Sequence, residues 1–267
     1  MLTKTDAIVL KSMKYSDTSK IVTFYTRQFG KLKGIAKGAR SNKSKFGASL
    51  ETGMHVSLMV YKKEQRELHL ISQADILTPF KRIHNELERM SAALGVIELV
   101  DRVTHGEEEH AALFALVLNT LRTIEGAPRN FITPVYAFQL RLASAFGFAP
   151  SLDQCMHCGR DLEKILTQPS VPFLVARGGV LCDDCSGTGS GKIKGKQAQT
   201  PGTTRISLPV LKIFRRLLAA KFESLTSIEY DEHTRNEIDE TLRLYLRYHF
   251  EDLKPLRSTR IFEQLLT

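Results

Sequence analysis

Near Phe80 the hydrophobic period of this chain changes from that of strands to that of helices, so two kinds of structure must follow one another. Before that point the runs Thr5 to Met13, Lys20 to Arg27, Lys31 to Lys37, Met54 to Tyr61 and Glu67 to Ala74 are rich in β-branched and aromatic residues. Polar or glycine turns at Tyr15-Ser16-Asp17, Gly30 and Gly53 separate them. Five short strands in this length suit a small antiparallel β-barrel of the OB-fold type, whose open face and loops take single strands.

After Phe80, Leu87, Met90, Leu94, Ile97 and Val100 recur at helical spacing. Leu113, Leu116, Val117 and Leu121 follow, then Tyr136, Leu140, Ala143 and Phe146. Thr133-Pro134 starts a helix and Gly147 stops it. Ser207-Leu208-Pro209 caps another, with Val210, Ile213, Phe214 and Leu217 facing inward and Lys212, Arg215 and Arg216 outward. Thr234-Arg235-Asn236-Glu237 reads as a capping box opening the last helix. Its face of Ile238, Leu242, Tyr245 and His249 packs back on the bundle, with His249 a hydrogen-bonded edge residue rather than a ligand. The expected architecture is therefore α+β and multidomain. Residues 1–79 form the barrel, 80–150 and 205–267 an all-α domain, and 151–204 a cysteine-bearing insertion with a flexible basic linker.

That insertion holds every cysteine of the chain. Cys155 and Cys158 form one Cys-x-x-Cys pair, and Cys182 and Cys185 repeat the spacing. Two such turns complete the tetrahedral S4 shell that zinc accepts, and four protein ligands leave no open position, so one structural Zn²⁺ per chain is expected. Met1-Leu2-Thr3-Lys4 does not open a signal peptide and no apolar run is long enough to span a membrane. A reducing cytoplasmic setting, where disulfides are disfavoured, is thus expected. Neither pair follows a strand and opens a helix as a thioredoxin-type motif does. Two other patterns are weak. His84-Asn85-Glu86 lies too far from Cys155 for a zinc deaminase signature and leaves the second pair unexplained. Gly187-Thr188-Gly189-Ser190-Gly191-Lys192 is one residue short of a phosphate loop, with Ile193 where Ser or Thr must bind magnesium.

Charge is concentrated rather than spread. From Met1 to Gly53 there are eleven basic and three acidic residues, so this segment carries +8 of the net +9 of the 267-residue chain. A second acid-free stretch follows Asp184 to Phe222 and includes Lys192, Lys194, Lys196, Lys212, Arg215 and Arg216. Such clustering is the footprint of phosphate-backbone binding. Lys31, Lys33, Lys37, Arg40, Lys43 and Lys45 are the expected main DNA-contacting surface, with Lys11, Lys14 and Arg27 adding from the barrel and Lys212, Arg215 and Arg216 forming a second candidate surface. Phe24, Tyr25, Phe29 and Phe46 are candidate stacking platforms for bases.

Several short motifs together resemble the RecO family of bacterial DNA recombination and repair proteins over essentially the full chain. They are Ala7-Ile8-Val9-Leu10-Lys11, Gly30-Lys31-Leu32, Ala36-Lys37-Gly38-Ala39-Arg40, Cys155 to Gly159, Gly178-Gly179-Val180-Leu181-Cys182 and Leu246-Arg247-Tyr248-His249. The resemblance implies an N-terminal OB-fold, a central helical domain and a zinc-finger-like insertion. It also implies binding to single- and double-stranded DNA, annealing of complementary strands, and no catalysis. The implied partners are RecR and the C-terminal tail of single-stranded DNA-binding protein (SSB), with RecF and, indirectly, RecA, in a bacterial cytoplasm at the nucleoid. An acidic, apolar-ended tail needs cations beside a hydrophobic pocket, for which Arg122, Arg129 and Arg141 are the candidates. A rival reading is an RNA-binding protein of the ribosome or transcription machinery, built from an OB-fold and a zinc ribbon. An enzyme is disfavoured by the lack of a nucleophile elbow, phosphate loop, paired-His zinc motif or dinucleotide fingerprint.

Overall fold

The computed structural model describes residues 1–63, 66–162, 168–186 and 202–250. Lys192, Lys194, Lys196 and the glycine-rich run 187–192 lie outside them. The described chain divides into two compact units between Ala127 and Pro128. The first holds the barrel and the next three helices, and the second holds the cysteines and the remaining helices.

Five strands close the barrel in the order β1-β2-β3-β5-β4: β1 (Leu2–Tyr15), β2 (Ser19–Thr26), β3 (Gly30–Ala36), β4 (His55–Tyr61) and β5 (Leu68–Thr78). All pairs are antiparallel except β3 with β5. Alternation puts Ala7, Val9, Val22, Phe24, Leu32, Val56, Leu58, Val60 and Ile71 inside, and Phe46 and Leu50 close the core from the segment after β3. The register of β1 against β2 shifts between Val9 and Lys11, so Leu10 is a bulge residue. The shift has a consequence for charge. Odd-numbered residues face inward before the bulge and outward after it, which brings Lys11 and Met13 to the surface.

The outer side of the barrel around Ile8, Tyr25 and His55 is also apolar and cannot face water. Helices α1 (Lys81–Asn85), α2 (Leu87–Val103) and α3 (Ala111–Gly126) belong to this unit. Phe114 of α3 stacks on Tyr25 with ring centroids 6.4 Å apart and leans on His55. Burial disfavours the charged forms of both residues, pushing Tyr25 up to about 12 and His55 down. The loop before α3 lies against the start of β3, where a Cβ on Gly30 would stand 2.1 Å from the Glu108 carbonyl oxygen. Gly30 also has φ of +60°, so only glycine suits this corner.

The buried face of α2 differs from the expected stripe: Leu87 is 56% exposed, while Arg89 is buried beside Ala92, Ala93, Val96, Ile97 and Val100. Arg89 is buried because its guanidinium donates to the Ile124 oxygen and, at 2.8 Å, to the Ala127 oxygen. These carbonyls lie where α3 ends and lacks helical partners. Glu86 pairs with Arg89 from below, and Arg89 and Arg82 together hold its carboxyl below the usual range. Replacing Arg89 with methionine takes the side-chain donor from the Ile124 oxygen and one of two from the Ala127 oxygen, which Arg82 also reaches at 3.2 Å, and the urea midpoint of the first unit should fall by an equivalent of about 1–3 kcal/mol.

The second unit packs α4 (Thr133–Ala145), α6 (Leu208–Ala219), α7 (Phe222–Leu225) and α8 (Glu232–His249) with a three-stranded antiparallel sheet of order β7-β6-β8. Its strands are β6 (Ser170–Leu174), β7 (Gly179–Val180) and β8 (Thr203–Ser207), with the short α5 (Asp183–Ser186) between β7 and β8. The sheet was not expected, and β8 begins inside the span read as linker. The capping-box reading is also corrected. Helix α8 starts earlier, with Asp231 as its cap accepting from the Thr234 N–H at 2.8 Å, while Glu237 crosses to accept from the Ser207 backbone and hydroxyl at the start of α6. Val210, Ile213, Phe214 and Leu217 of α6 are buried, as their spacing requires.

Candidate nucleic-acid interface and metal centre

The outward residues of β1, β2 and β3 form rows across the barrel. Lys11, Thr23 and Lys33 are paired in register, and the next row is Met13, Ile21 and Ile35. Lys11 and Lys33 are exposed. Lys14 is exposed opposite Lys20, and Tyr15 opposite Ser19, toward the barrel end where residues 37–46 leave β3. In that segment Lys37, Arg40, Lys43 and Lys45 are all exposed. Arg40 also organises it, donating from Nη1 to the Ser16 oxygen and from its backbone N–H to the Thr18 oxygen, both at 2.9 Å. One end of the β1–β3 face is therefore cationic, with the segment 37–46 tied to the β1–β2 turn.

Two basic residues of the expected surface do not join this group. Lys31 pairs with Asp101 at 2.7 Å and its ammonium also reaches backbone oxygens at the end of α2, so it fastens helix to barrel. Arg27 is exposed but stands in the β2–β3 turn, at the opposite end of those strands. The stacking platforms need a larger correction. Phe24, Tyr25 and Phe46 are buried as core or under α3, and Phe29 is half-buried against the core with the Lys62 ammonium 4.8 Å from its ring. The exposed ring on the cationic side is Tyr15, at 49%, with Met13 beside it at 46%. The flip at Leu10 is what exposes Met13, and uninterrupted alternation could not have indicated it.

In the second unit, Lys212 and Arg216 are exposed on α6, but Arg215 is not a free cation. It donates to the Leu152 oxygen at 2.6 Å and pairs with Asp153 at 3.0 Å, anchoring the cysteine module to α6. The three arginines considered for an acidic tail have different fates. Arg122 is exposed on α3 in the first unit, and Arg129, in the second, pairs with Glu229 at 2.9 Å. Arg141 donates to the Leu217 and Ala220 oxygens at the end of α6 and lies 4.8 Å from the Phe222 ring. It caps a helix rather than presenting a charge.

The four cysteine sulfurs lie within 4.8 Å of one another, with Cys155 and Cys182 buried. The Cys158 and Cys182 sulfurs are 3.8 Å apart. Sulfurs bound at about 2.3 Å around a tetrahedral ion stand about 3.8 Å from each other, so the cluster has the dimensions of a Zn(Cys)4 shell. No histidine joins it among the described residues. The two turns are held together by the backbone: Met156 N–H donates to the Val180 oxygen and Cys182 N–H to the Cys155 sulfur. Arg160 donates to the Cys158 sulfur at 3.4 Å, to the Cys182 sulfur at 3.7 Å and to Asp184 at 2.6 Å. These bonds lower the Cys158 thiol to about 6, favouring the thiolate a metal requires. A shell of four thiolates around a dication carries two negative charges, and Arg160 offsets part of them.

A closed five-stranded barrel with one cationic end, followed by a helical unit with a four-cysteine cluster, defines an OB-fold protein with a cysteine-bearing helical unit. The chain belongs to the recombination protein O family: the N-terminal family model matches residues 1–80 and the C-terminal one residues 84–260. Relatives named DNA repair protein RecO share 35% identity in Chloroherpeton thalassium, over all of both chains, and 31% in Prosthecochloris aestuarii, over 99% of this chain and 98% of the relative. A third, from Salinibacter ruber, is 30% identical over 99% of this chain and 94% of its own. Among the described residues no helix is long and apolar enough to cross a membrane.

Proposed function

We propose that the chain is a non-enzymatic recombination mediator that binds single- and double-stranded DNA, anneals complementary strands and, with RecR, helps load RecA onto SSB-coated single strands. The cationic end of the β1–β3 face is the observation that carries this reading. Lys11, Lys14, Lys33, Lys37, Lys43 and Lys45 neutralise phosphates there, and Arg40 sets the loop that carries three of them. Two strands held by their backbones repel each other less and keep their base edges free to pair, so annealing requires no catalytic group. The metal is Zn²⁺ in a closed structural shell. For the SSB tail, Arg122 and Arg129 remain the exposed candidates, and RecF is a further partner implied by the family. The protein acts in the cytoplasm, at the nucleoid.

The test is fluorescence-monitored annealing of SSB-coated complementary DNA strands, with matched RNA strands as a comparison. Acceleration on DNA is expected. No acceleration, or faster annealing of RNA only, would contradict the reading.

A further inference from the structure

The second unit contains a cavity of about 450 Å³ that the cysteines and the basic surfaces do not explain. Its walls are aromatic: Phe148, from the chain after α4, stacks on His249 with centroids 4.6 Å apart and planes 29° apart, and Tyr248 meets the same imidazole edge-on at 5.3 Å. Gly147, Ala149 and Ala176 leave the space between them. The walls are fixed from behind, because the Tyr245 hydroxyl donates to the Phe148 oxygen and His249 Nε2 lies 3.0 Å from the Val175 oxygen. Arg177 lines the cavity, is exposed, and has no hydrogen-bond or charge partner among the described residues.

The hydrogen bond of His249 determines what the cavity offers a ligand. A carbonyl oxygen only accepts, so Nε2 carries the proton, and in the neutral ring, which burial favours, Nδ1 is left as an acceptor. A ligand suited to this cavity has a planar face for the rings, an N–H for Nδ1 and an anion for Arg177. A carboxylate placed beside Nδ1 would set acceptor against acceptor. Every nucleobase carries an N–H on its pairing edge, and the phosphate beside it suits a guanidinium. In a duplex that edge is occupied and the base face is stacked.

We propose that this cavity holds one unpaired base of single-stranded DNA, with Tyr248 against the base and Arg177 on the adjacent phosphate. The inference rests on the DNA-binding reading and adds to it a means of distinguishing unpaired from paired strands. Residue types alone do not reveal it, because Phe148, Ala176 and Tyr248 are far apart in the sequence.

The test measures binding of the full chain to three probes of equal length: a single-stranded oligonucleotide, its abasic counterpart and a duplex. The proteins are the wild type, Tyr248→Ala, Tyr248→Phe and Arg177→Gln. Wild type should prefer the base-bearing strand to the abasic one by about 5- to 150-fold, as expected for one stacked base. Tyr248→Ala should remove most of that preference without changing duplex affinity, Tyr248→Phe should retain it, and Arg177→Gln should weaken single-strand binding several-fold. Tyr248 is 53% exposed, so its removal spares the core. An unchanged base preference in Tyr248→Ala, or equal losses on single strand and duplex, overturns the base-pocket assignment while leaving the barrel interface intact. If the wild type binds none of the probes, the DNA-binding reading itself fails and the pocket assignment with it.

Discussion

Serine at position 182 should release the metal and unfold most of the second unit. Cys182 is buried, its sulfur lies 3.8 Å from that of Cys158, and its backbone N–H donates to the Cys155 sulfur. Without this ligand, turns holding three cysteines and Arg160 lose the centre that orders them. A structural zinc site supplies folding free energy directly, and the expected loss is about 3–5 kcal/mol, close to the whole stability of many domains. Metal content by mass spectrometry should fall from one zinc per chain to less than a tenth, and a strong chelator should lower the melting temperature of wild type in the same way. Arg160→Gln should keep the metal but release it faster to a chelator, because one offset to the doubly negative shell is gone. A Cys182→Ser protein that melts like wild type would show that the four thiols are not a folding centre.

A second large effect is expected at the barrel. Replacing Lys33, Lys37 and Lys43 with alanine removes three exposed cations and leaves the core untouched. Arg40 is excluded from this set because its bonds to the Ser16 and Thr18 oxygens hold the loop, and its loss would mix charge with folding. Each neutralised phosphate contributes about 0.7 to the log-log salt slope for a single strand, so three lost contacts lower affinity about 100-fold at 0.1 M salt. Single-strand and duplex binding should fall together, since phosphates are common to both, and unfolding midpoints should not move. Annealing of complementary strands should slow in step. Lys31→Ala should do the reverse, costing stability through Asp101 while leaving DNA affinity almost intact.

The β-branched and aromatic runs before Phe80 make all five strands legible, and the spacing of Cys155, Cys158, Cys182 and Cys185 makes the four-cysteine cluster legible. What the residues do not disclose is orientation set by an irregularity. The bulge at Leu10 changes the facing of Lys11 and Met13, and no local signal marks it. Strand β6 is hidden because Pro172 sits in its middle, where a proline ordinarily argues against a central strand. The Thr234 to Glu237 pattern misleads for a tertiary reason: the carboxylate that would close a capping box bonds Ser207 instead. Lys31, Arg141 and Arg215 show the same limit, for a basic side chain has one appearance in sequence whether it meets solvent or a buried carbonyl. His249 is the opposite case, a hydrogen-bonded edge residue as its helical position indicates, yet also the wall of a cavity.

The most direct measurement of the central claim is the salt dependence of single-stranded DNA affinity, from about 0.05 to 0.3 M, for wild type, the Lys33/Lys37/Lys43 triple variant and a Lys212/Arg216 double alanine variant. The barrel account predicts a steep log-log slope for wild type, a slope shallower by about 2 for the triple variant and little change for the double variant. An unchanged slope in the triple variant, above all if the α6 variant flattens it instead, would place the DNA away from the barrel and contradict the account.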